Sequence, residues 1–552
     1  MLRAEVTRRV PEAFKDSEGP WKLLAWLDQI QPTLQLDRAL FPSFTNKLLL
    51  DHLMAREEVL QNPLPALLEL ASEALKAEAE HHLHSIDLLM TQAQSRLEGQ
   101  LNERSEALET FFSGLKDRDE EEGTPNPREL MDEIAGLLHM PVKLTPEQQR
   151  LLKGDSNQDE LRQLEDDLHL QLETALTNQS LARLGGLIER RLDESLGINP
   201  SQLPHGDWDE IRDQVTQAAR SVLESRYLRL IGEAATQGTL PTDGQIAKDL
   251  IVSLERTQSP LAPAHLLNLI TLMPQGARAS FDKRTHRRTL ERTTRLTYFF
   301  FAAQLLQDRS GEEIAEEVLE HLVQAQTAMR RFWGAAEWAR LSAATPAELD
   351  ARTQNGLRGA LGEERYAQVQ DHPLQSLREE DALKVIDQLG RRIQTEVYRP
   401  LLLGVTTELW VDYLTQMEAL RVSIGLEAYA QRDPLVQYKS RASELFQDLF
   451  GNMRIGVVTR MFTYRPRNLS SLQLAEKRLP EVEAAGDDTK ALPVDVADYD
   501  EVLPLLDEGE RGPEAEATAH LAQPENGDQV GASAATSQSG LSKSQKRRRG
   551  RR

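Results

Sequence analysis

The stretch from Trp410 to Pro466 constrains this chain more than any other. On its first arm Trp410, Tyr413, Leu414, Met417, Leu420 and Ile424 recur at steps of three and four; on its second, Leu435, Tyr438, Ala442, Leu445, Leu449 and Met453 do the same. That spacing is helical and predicts an apolar stripe along one side of each arm. Between the arms stands Asp433-Pro434, a carboxylate suited to the N-cap followed by a proline suited to the first helical position. The stretch therefore predicts a helical hairpin, each arm about 20 residues and on the order of 30 Å long.

The rest of the 552 residues points the same way. Helix formers fill most windows, and period-two alternation of β-branched residues is scarce. The expected fold class is all-α, with an extended multi-helix body and a disordered C-terminal tail. A net charge of −23 argues against nucleic-acid binding by the body as a whole. The absence of cysteine excludes disulfides, thiolate chemistry and cysteine-ligated zinc. No apolar run of about 18 residues occurs, and the N-terminus has no signal-peptide core. The expected location is cytoplasmic, at most peripheral on the cytoplasmic face of a membrane.

Five regions are expected. Residues 1–116 form an N-terminal helical part, in which Val6, Val10 and Phe14 share one stripe and Pro20 opens a helix carrying Trp21, Leu24 and Leu27. Residues 117–127, DRDEEEGTPNP, read as an acidic linker without apolar residues for a core. Residues 128–385 form a middle helical region, 386–468 the hairpin, and 469–552 an acidic tail with a basic end. Proline-marked helix starts recur at Thr145-Pro146-Glu147-Gln148, Asn199-Pro200-Ser201-Gln202 and Thr345-Pro346-Ala347-Glu348. The first two hint at a duplicated helical unit. Residues 283–301, KRTHRRTLERTTRLTYFFF, read either as a basic helix facing phosphates or acidic lipid, or as a solvated arginine face leading into a buried aromatic turn. The helix expected from Ile314 to Ala339 carries Trp333 and Trp338 as core residues.

Chemistry is sparse. The sequence holds no G-x-x-x-x-G-K-[ST], G-x-S-x-G or H-E-x-x-H. Gly356, Gly359 and Gly362 read as helix-end punctuation. Glu78, Glu80, His81, His82 and His84 form the one dense ligand-type cluster, with Glu78 and His82 a helical turn apart. No third ligand suggests itself, so alternating Glu and His on an exposed helix is the ordinary reading. No catalytic, cofactor or metal residue is assigned. The end of the chain carries Lys546, Arg547, Arg548, Arg549, Arg551 and Arg552, which suit anionic lipid, ribosomal RNA or an acidic partner, and equally suit folding back onto the chain's own acidic linker.

The hairpin sequence LWVDYLTQMEALRVSIGLEAYAQRDPLVQYKSRASELF resembles the two-helix finger of the SecA preprotein translocase ATPase, within its helical scaffold domain. The match rests on Leu409, Trp410, Leu414, Met417, Leu420, Arg421, Ile424, Leu426, Tyr429, Ala430, Gln431, Asp433, Pro434, Tyr438 and Lys439. The opening LRAEVTRRVPEAF more loosely resembles the start of the family's helical wing, while residues 35–385 show no confident match. The resemblance implies a finger inserted into the SecY channel, with Tyr429 at its tip touching unfolded preprotein and Gln431 and Arg432 beside it. Trp410, Leu414, Met417, Leu420, Ile424, Asp433, Pro434, Tyr438 and Lys439 would build its frame. The family's Arg-Gly before that tyrosine is Glu427-Ala428 here, its His is Tyr413, and its Gly is Ser423. Motor and preprotein-clamping sequences are missing, so the chain resembles the C-terminal half of a divided SecA working with a separately encoded motor chain. The other expectation is a helical adaptor or chaperone that binds unfolded chains or ribosomes without a motor.

Overall fold

The structure is a computed structural model, and it describes residues 1–37, 39–56, 58–116, 126–151, 158–198, 207–233, 243–256, 260–282, 287–424 and 433–464. Two helices open the chain, α1 (Leu2–Ala13) and α2 (Gly19–Ile30), burying Val6 and Val10 on the first and Leu24, Leu27 and Ile30 on the second. Pro20 falls at the start of α2, where a missing N–H costs nothing. A small antiparallel hairpin follows, β1 (Leu34–Leu36) with β2 (Ala39–Phe41), then α3 (Phe44–Met54), whose cap Ser43 accepts a hydrogen bond from the Asn46 amide.

Next comes α4 (Pro63–Lys116), 54 residues and therefore roughly 80 Å long. Its first turns, with Leu67, Leu70 and Ala74, belong to the main hydrophobic core. Farther on, Ile86 and Met90 enter a second core, and Leu108 and Phe112 a third. The third core is completed by α5 (Pro127–Leu138), with α6 (Pro146–Leu151) packed nearby, and by the first half of α7 (Gln158–Leu192). The second half of α7 joins α8 (Trp208–Ile231) around the second core. Thus α7 runs antiparallel to α4, and one long helix threads three cores. Thr145 and Gln148 form the reciprocal cap expected at α6. The corresponding start at Asn199-Pro200 lies outside the described residues, as does most of the acidic linker.

The chain returns to the main core through α9 (Gln245–Glu255) and α10 (Pro263–Leu272). A second antiparallel ribbon then pairs β3 (Gln275–Asp282) with β4 (Arg287–Thr294). The basic segment expected as a helix is therefore largely a strand. Thr289, Thr293 and Thr294 favour extended backbone, and every residue from Arg287 to Thr294 has a partner across the ribbon. The aromatic turn after it is buried as read: Tyr298 and Phe301 are in the core, with the Tyr298 hydroxyl donating to the Ile270 carbonyl at 2.9 Å.

Four helices and two short 3-10 turns lead to the hairpin: α11 (Phe299–Gln304), α12 (Gly311–Leu341), α13 (Ala351–Leu361) and α14 (Glu363–Val369). Ser310 caps α12 by accepting from the Glu313 amide at 3.2 Å, and Trp333 is buried along it. Gly362 ends α13 with φ +84, while Gly356 and Gly359 lie within that helix and not at its end. Last come α15 (Glu379–Ser423) and α16 (Pro434–Arg460). Among the described residues the body is all-α apart from the two small ribbons.

Crossing of α12 and α15 sets the base of the hairpin. A Cβ on Gly334 would sit 2.0 Å from the Ile386 carbonyl oxygen, and one on Gly390 2.1 Å from the Arg330 carbonyl oxygen. The two backbones are in direct contact there, which only glycine allows. Arg330 to Asp387 at 3.0 Å and the Trp333–Tyr398 ring pair at 6.4 Å flank the crossing.

Candidate functional site

The hairpin is built on that crossing. α15 has 45 residues, about twice the arm expected from its stripe, because Val385, Leu389, Ile393 and Val397 extend the apolar period backwards into the body. α16 has 27 residues. Asp433 caps α16 by accepting from the Leu435 amide at 2.9 Å, and Pro434 is its first residue. The pairs Glu408–Arg460 at 3.5 Å and Tyr413–Phe446 at 6.1 Å between ring centres make the arms antiparallel. Near the base the seam is tight: Leu401, Val405, Val457 and Val458 are buried in the main core, and a Cβ on Gly456 would meet Val405 at 2.9 Å.

Toward the tip the burial stops. Only Leu420 and Leu449 are buried among the described residues beyond the seam's base, and Tyr413, Met417, Ile424 and Tyr438 are half-buried. Trp410 and Leu414, members of the expected stripe, lie outside the seam and are 44% and 51% exposed. The helix carries a second apolar stripe, Leu403, Trp410, Val411, Leu414 and Val422, that faces away from α16. Leu435 and Val436 on the other arm are likewise exposed, as is Lys439. Trp410, Tyr413, Phe446 and Phe450 form a chain of ring contacts at 5.4, 6.1 and 4.8 Å along one edge of the pair.

Chemically the hairpin offers contact and not reaction. Scattered exposed apolar residues are ordinary, but several large ones on one helix pair form an apolar surface open to contact. Tyr429, Gln431 and Arg432, expected at the tip, lie outside the described residues, as do Lys546, Arg547, Arg548, Arg549, Arg551 and Arg552.

The Glu78–His82 pair has a different role from either reading of it. Both residues are buried, not on an exposed helix face. Glu78 receives the Arg226 guanidinium at 3.1 Å, lies 3.6 Å from His82 Nε2, and accepts the Thr297 amide at 3.0 Å. Burial pushes its carboxyl up, but His82, Arg226 and the amide outweigh that and hold it below the usual range. The group ties α4, α8 and the aromatic turn together. His81 stacks on Phe300 with ring centres 4.0 Å apart, while Glu80 and His84 are exposed. Among the described residues no three His, Cys, Asp or Glu side chains are placed to hold a metal ion. Nor is any described helix long and apolar enough to cross a membrane.

Comparison with known proteins gives the hairpin its relatives. The SecA Wing and Scaffold domain family matches residues 302–465. This span reaches well upstream of the stretch recognised in the sequence, taking in α12, α13, α14 and the whole of α15 and α16. It leaves α1 and α2 outside, although α1 packs against α12 in the same core. The protein translocase subunit SecA of Trichormus variabilis is 42% identical over 82 residues, 15% of this chain and 9% of that protein. SecA of Chloroflexus aurantiacus is 34% identical over 151 residues, 27% of this chain and 14% of its own length. SecA of Desulforamulus reducens is 33% identical over 141 residues, covering 25% and 15%. The chain thus spans only a small part of each relative it matches. No solved structure matches the chain. The 552 residues contain no phosphate-cradling G-x-x-x-x-G-K-[ST] loop. Over residues 302–465, less than a third of its length, the chain is thus similar to the SecA wing and scaffold domain.

Proposed function

We propose that this chain is the wing, scaffold and two-helix finger of a SecA-type preprotein translocase. It contacts the SecY channel and the moving polypeptide at the cytoplasmic face of the membrane, while a separate SecA-type motor chain hydrolyses ATP. One observation carries the reading: the distal half of the α15–α16 hairpin, inside the matched domain, leaves the core and keeps large apolar residues exposed on both arms. In this reading Tyr429 is the tip residue that grips substrate, with Gln431 and Arg432 beside it. Its ring packs on varied side chains and its hydroxyl bonds to backbone, a grip without sequence preference. The cations from Lys546 to Arg552 add salt-sensitive affinity for anionic lipid or the ribosome.

Because the chain has no cysteine, Tyr429→Cys supplies a unique thiol. It is expected to form a disulfide with a preprotein stalled in the channel and carrying one cysteine, and the chain is expected to co-purify with a SecA motor and SecY-containing membranes. Failure of both sinks the translocase reading. The second reading, a helical adaptor or chaperone, draws on the same exposed faces, which need no motor to bind an unfolded chain. Capture of unfolded protein or ribosomes with no association to motor or channel would favour it.

A further inference from the structure

The α15–α16 hairpin has two unlike edges. Along α16, Lys439, Ser443, Phe446, Phe450 and Arg454 follow at steps of four, three, four and four, so they share one side of the helix. Along α15, Leu403, Thr407, Trp410 and Leu414 follow at four, three and four. The ring contacts from Trp410 through Tyr413 and Phe446 to Phe450 join the two rows. Neither row holds an acidic residue. Glu408, Asp412, Glu444 and Asp448 each stand two positions from Trp410 or Phe446, across the helix from those rings.

The joined rows suit contact with a partner. Trp410 and Phe446 are each 44% exposed and Phe450 54%. Ring neighbours hold these side chains in place, so little freedom is lost when something settles on them. Among the described residues no ion pair engages Lys439 or Arg454, the cations at the two ends of the α16 row. From Lys439 to Arg454 the helix rises roughly 22 Å, the span of about seven residues of extended chain. The Debye length at physiological salt is about 8 Å, so these nearby cations outweigh the net charge of −23 along the row.

We propose that this edge binds acid-flanked apolar stretches of unfolded polypeptide. Bulky side chains of the segment lie on the rings, one carboxylate meets Lys439, and another meets the forked donors of Arg454. The inference rests on the hairpin being the element that contacts polypeptide, and it names the class of segment chosen there. Anionic lipid is the other partner that rings and cations suit, and it fits less well. A membrane plane covers the apolar surface of an element lying on it, yet Val411 and Val422 are exposed about a third of a turn from Trp410. Glu418, one turn before Val422, puts an acid on that side, whereas the unpaired cations stand beside the rings.

The experiment uses the full chain with Lys543 and the cations from Lys546 to Arg552 replaced by glutamine, so that the tail takes up no acidic peptide. Fluorescein-labelled peptides of one length are titrated by anisotropy: a leucine and phenylalanine core flanked by glutamates, the same core flanked by lysines, and a serine core flanked by glutamates. The first is expected to bind, the second about tenfold more weakly, and the third not at all. Lys439→Gln with Arg454→Gln is expected to abolish the preference for glutamate flanks. Phe446→Ser with Phe450→Ser is expected to lose binding of both apolar peptides, with circular dichroism confirming the fold. Asp412→Asn with Asp448→Asn, on the other edge, is expected to leave binding unchanged. Equal affinity for glutamate and lysine flanks overturns the proposal, as does a preference that survives loss of both cations. It also falls if anionic phosphatidylglycerol vesicles bind through Phe446 and Phe450 while the peptides do not. Cross-linking at Tyr429→Cys without any peptide preference would sink this inference alone, whereas preference without cross-linking or co-purification would sink the translocase reading alone.

Discussion

Alanine at Gly390 is the sharpest test of how the hairpin is held. In a helix interior with open space, glycine to alanine stabilises by roughly 0.5–1 kcal/mol, since the unfolded chain has less freedom to lose. At Gly390 the space is closed: the new carbon would stand 2.1 Å from the Arg330 carbonyl oxygen and 2.9 Å from the Arg330 carbonyl carbon. A carbon needs about 3.5 Å from a neighbour to be at rest, so the helices must part by about an ångström or more. Overpacking of this kind costs about 1–3 kcal/mol, and backbone neighbours give less readily than side chains. The net expectation for Gly390→Ala, and for Gly334→Ala, is a loss of about 1–2 kcal/mol after the propensity gain. Urea unfolding followed by circular dichroism reads the loss, and Trp333 fluorescence reports the crossing itself. Gly404→Ala and Gly451→Ala serve as controls, since a Cβ at either meets nothing within 4 Å; both should stabilise. The double variant Gly334→Ala/Gly390→Ala should cost less than the two singles together, because one separation makes room for both. If Gly390→Ala proves as stable as the parent while Gly404→Ala gains, the close crossing is wrong.

Three further outcomes are expected. Arg226→Met leaves the buried Glu78 carboxylate without its guanidinium and should cost about 3–5 kcal/mol, most of it recovered when Glu78→Gln is added; equal losses in the two variants would argue against the pairing. His321 donates from Nε2 to Gln31 at 2.9 Å, and burial aided by Lys47 lowers it from 6.5 to about 4. The unfolded chain takes that proton first, so this contribution is complete above pH 6.5 and is lost as pH falls toward 4. Asp28, raised by burial from 3.8 to about 6, acts in the opposite sense: its contribution is full below pH 3.8 and lost as pH rises through 6. His321→Gln should therefore flatten the acid limb of stability between pH 6.5 and 4, and an unchanged limb would refute the assignment. Val422→Ser and Leu435→Ser, at positions 74% and 60% exposed, should change stability by less than about 0.5 kcal/mol while weakening capture of partner or substrate. A large stability loss would mean those residues are packed.

What the sequence revealed was whatever a local period or cap could carry. Val6 and Val10, Leu24 and Leu27, and the seam residues Leu420 and Leu449 sit inside because helical spacing marks one side of a helix. Asp433-Pro434 names a helix start by chemistry that depends on neighbours alone. The outer stripe with Trp410 and Leu414 was read as seam because spacing cannot distinguish a covered apolar face from an open one. Within residues 283–301 the strand Arg287–Thr294 is not legible, because arginines suit a helix as well as a strand and a pairing register is a non-local fact. The same holds for Glu78, whose partner Thr297 lies 219 positions away, and for the Gly334–Gly390 contact. The family resemblance legible in the sequence is confined to the hairpin and the opening helices, while the family match takes in α12 to α14 as well.

α15 runs from the glycine crossing to Ser423 without a break, and the distance from Gly390 to Ser423 along a helix is roughly 50 Å. The hairpin is thus a lever with its fulcrum inside the body. A tilt of about 5° where α12 meets α15 would sweep the far end through about 4 Å, close to one residue of extended chain. Pro400 is the one proline in α15, and its ring removes a single helical hydrogen bond without ending the helix. A load on the far end of α15 would be carried along the helix to the backbone contact at Gly334 and Gly390.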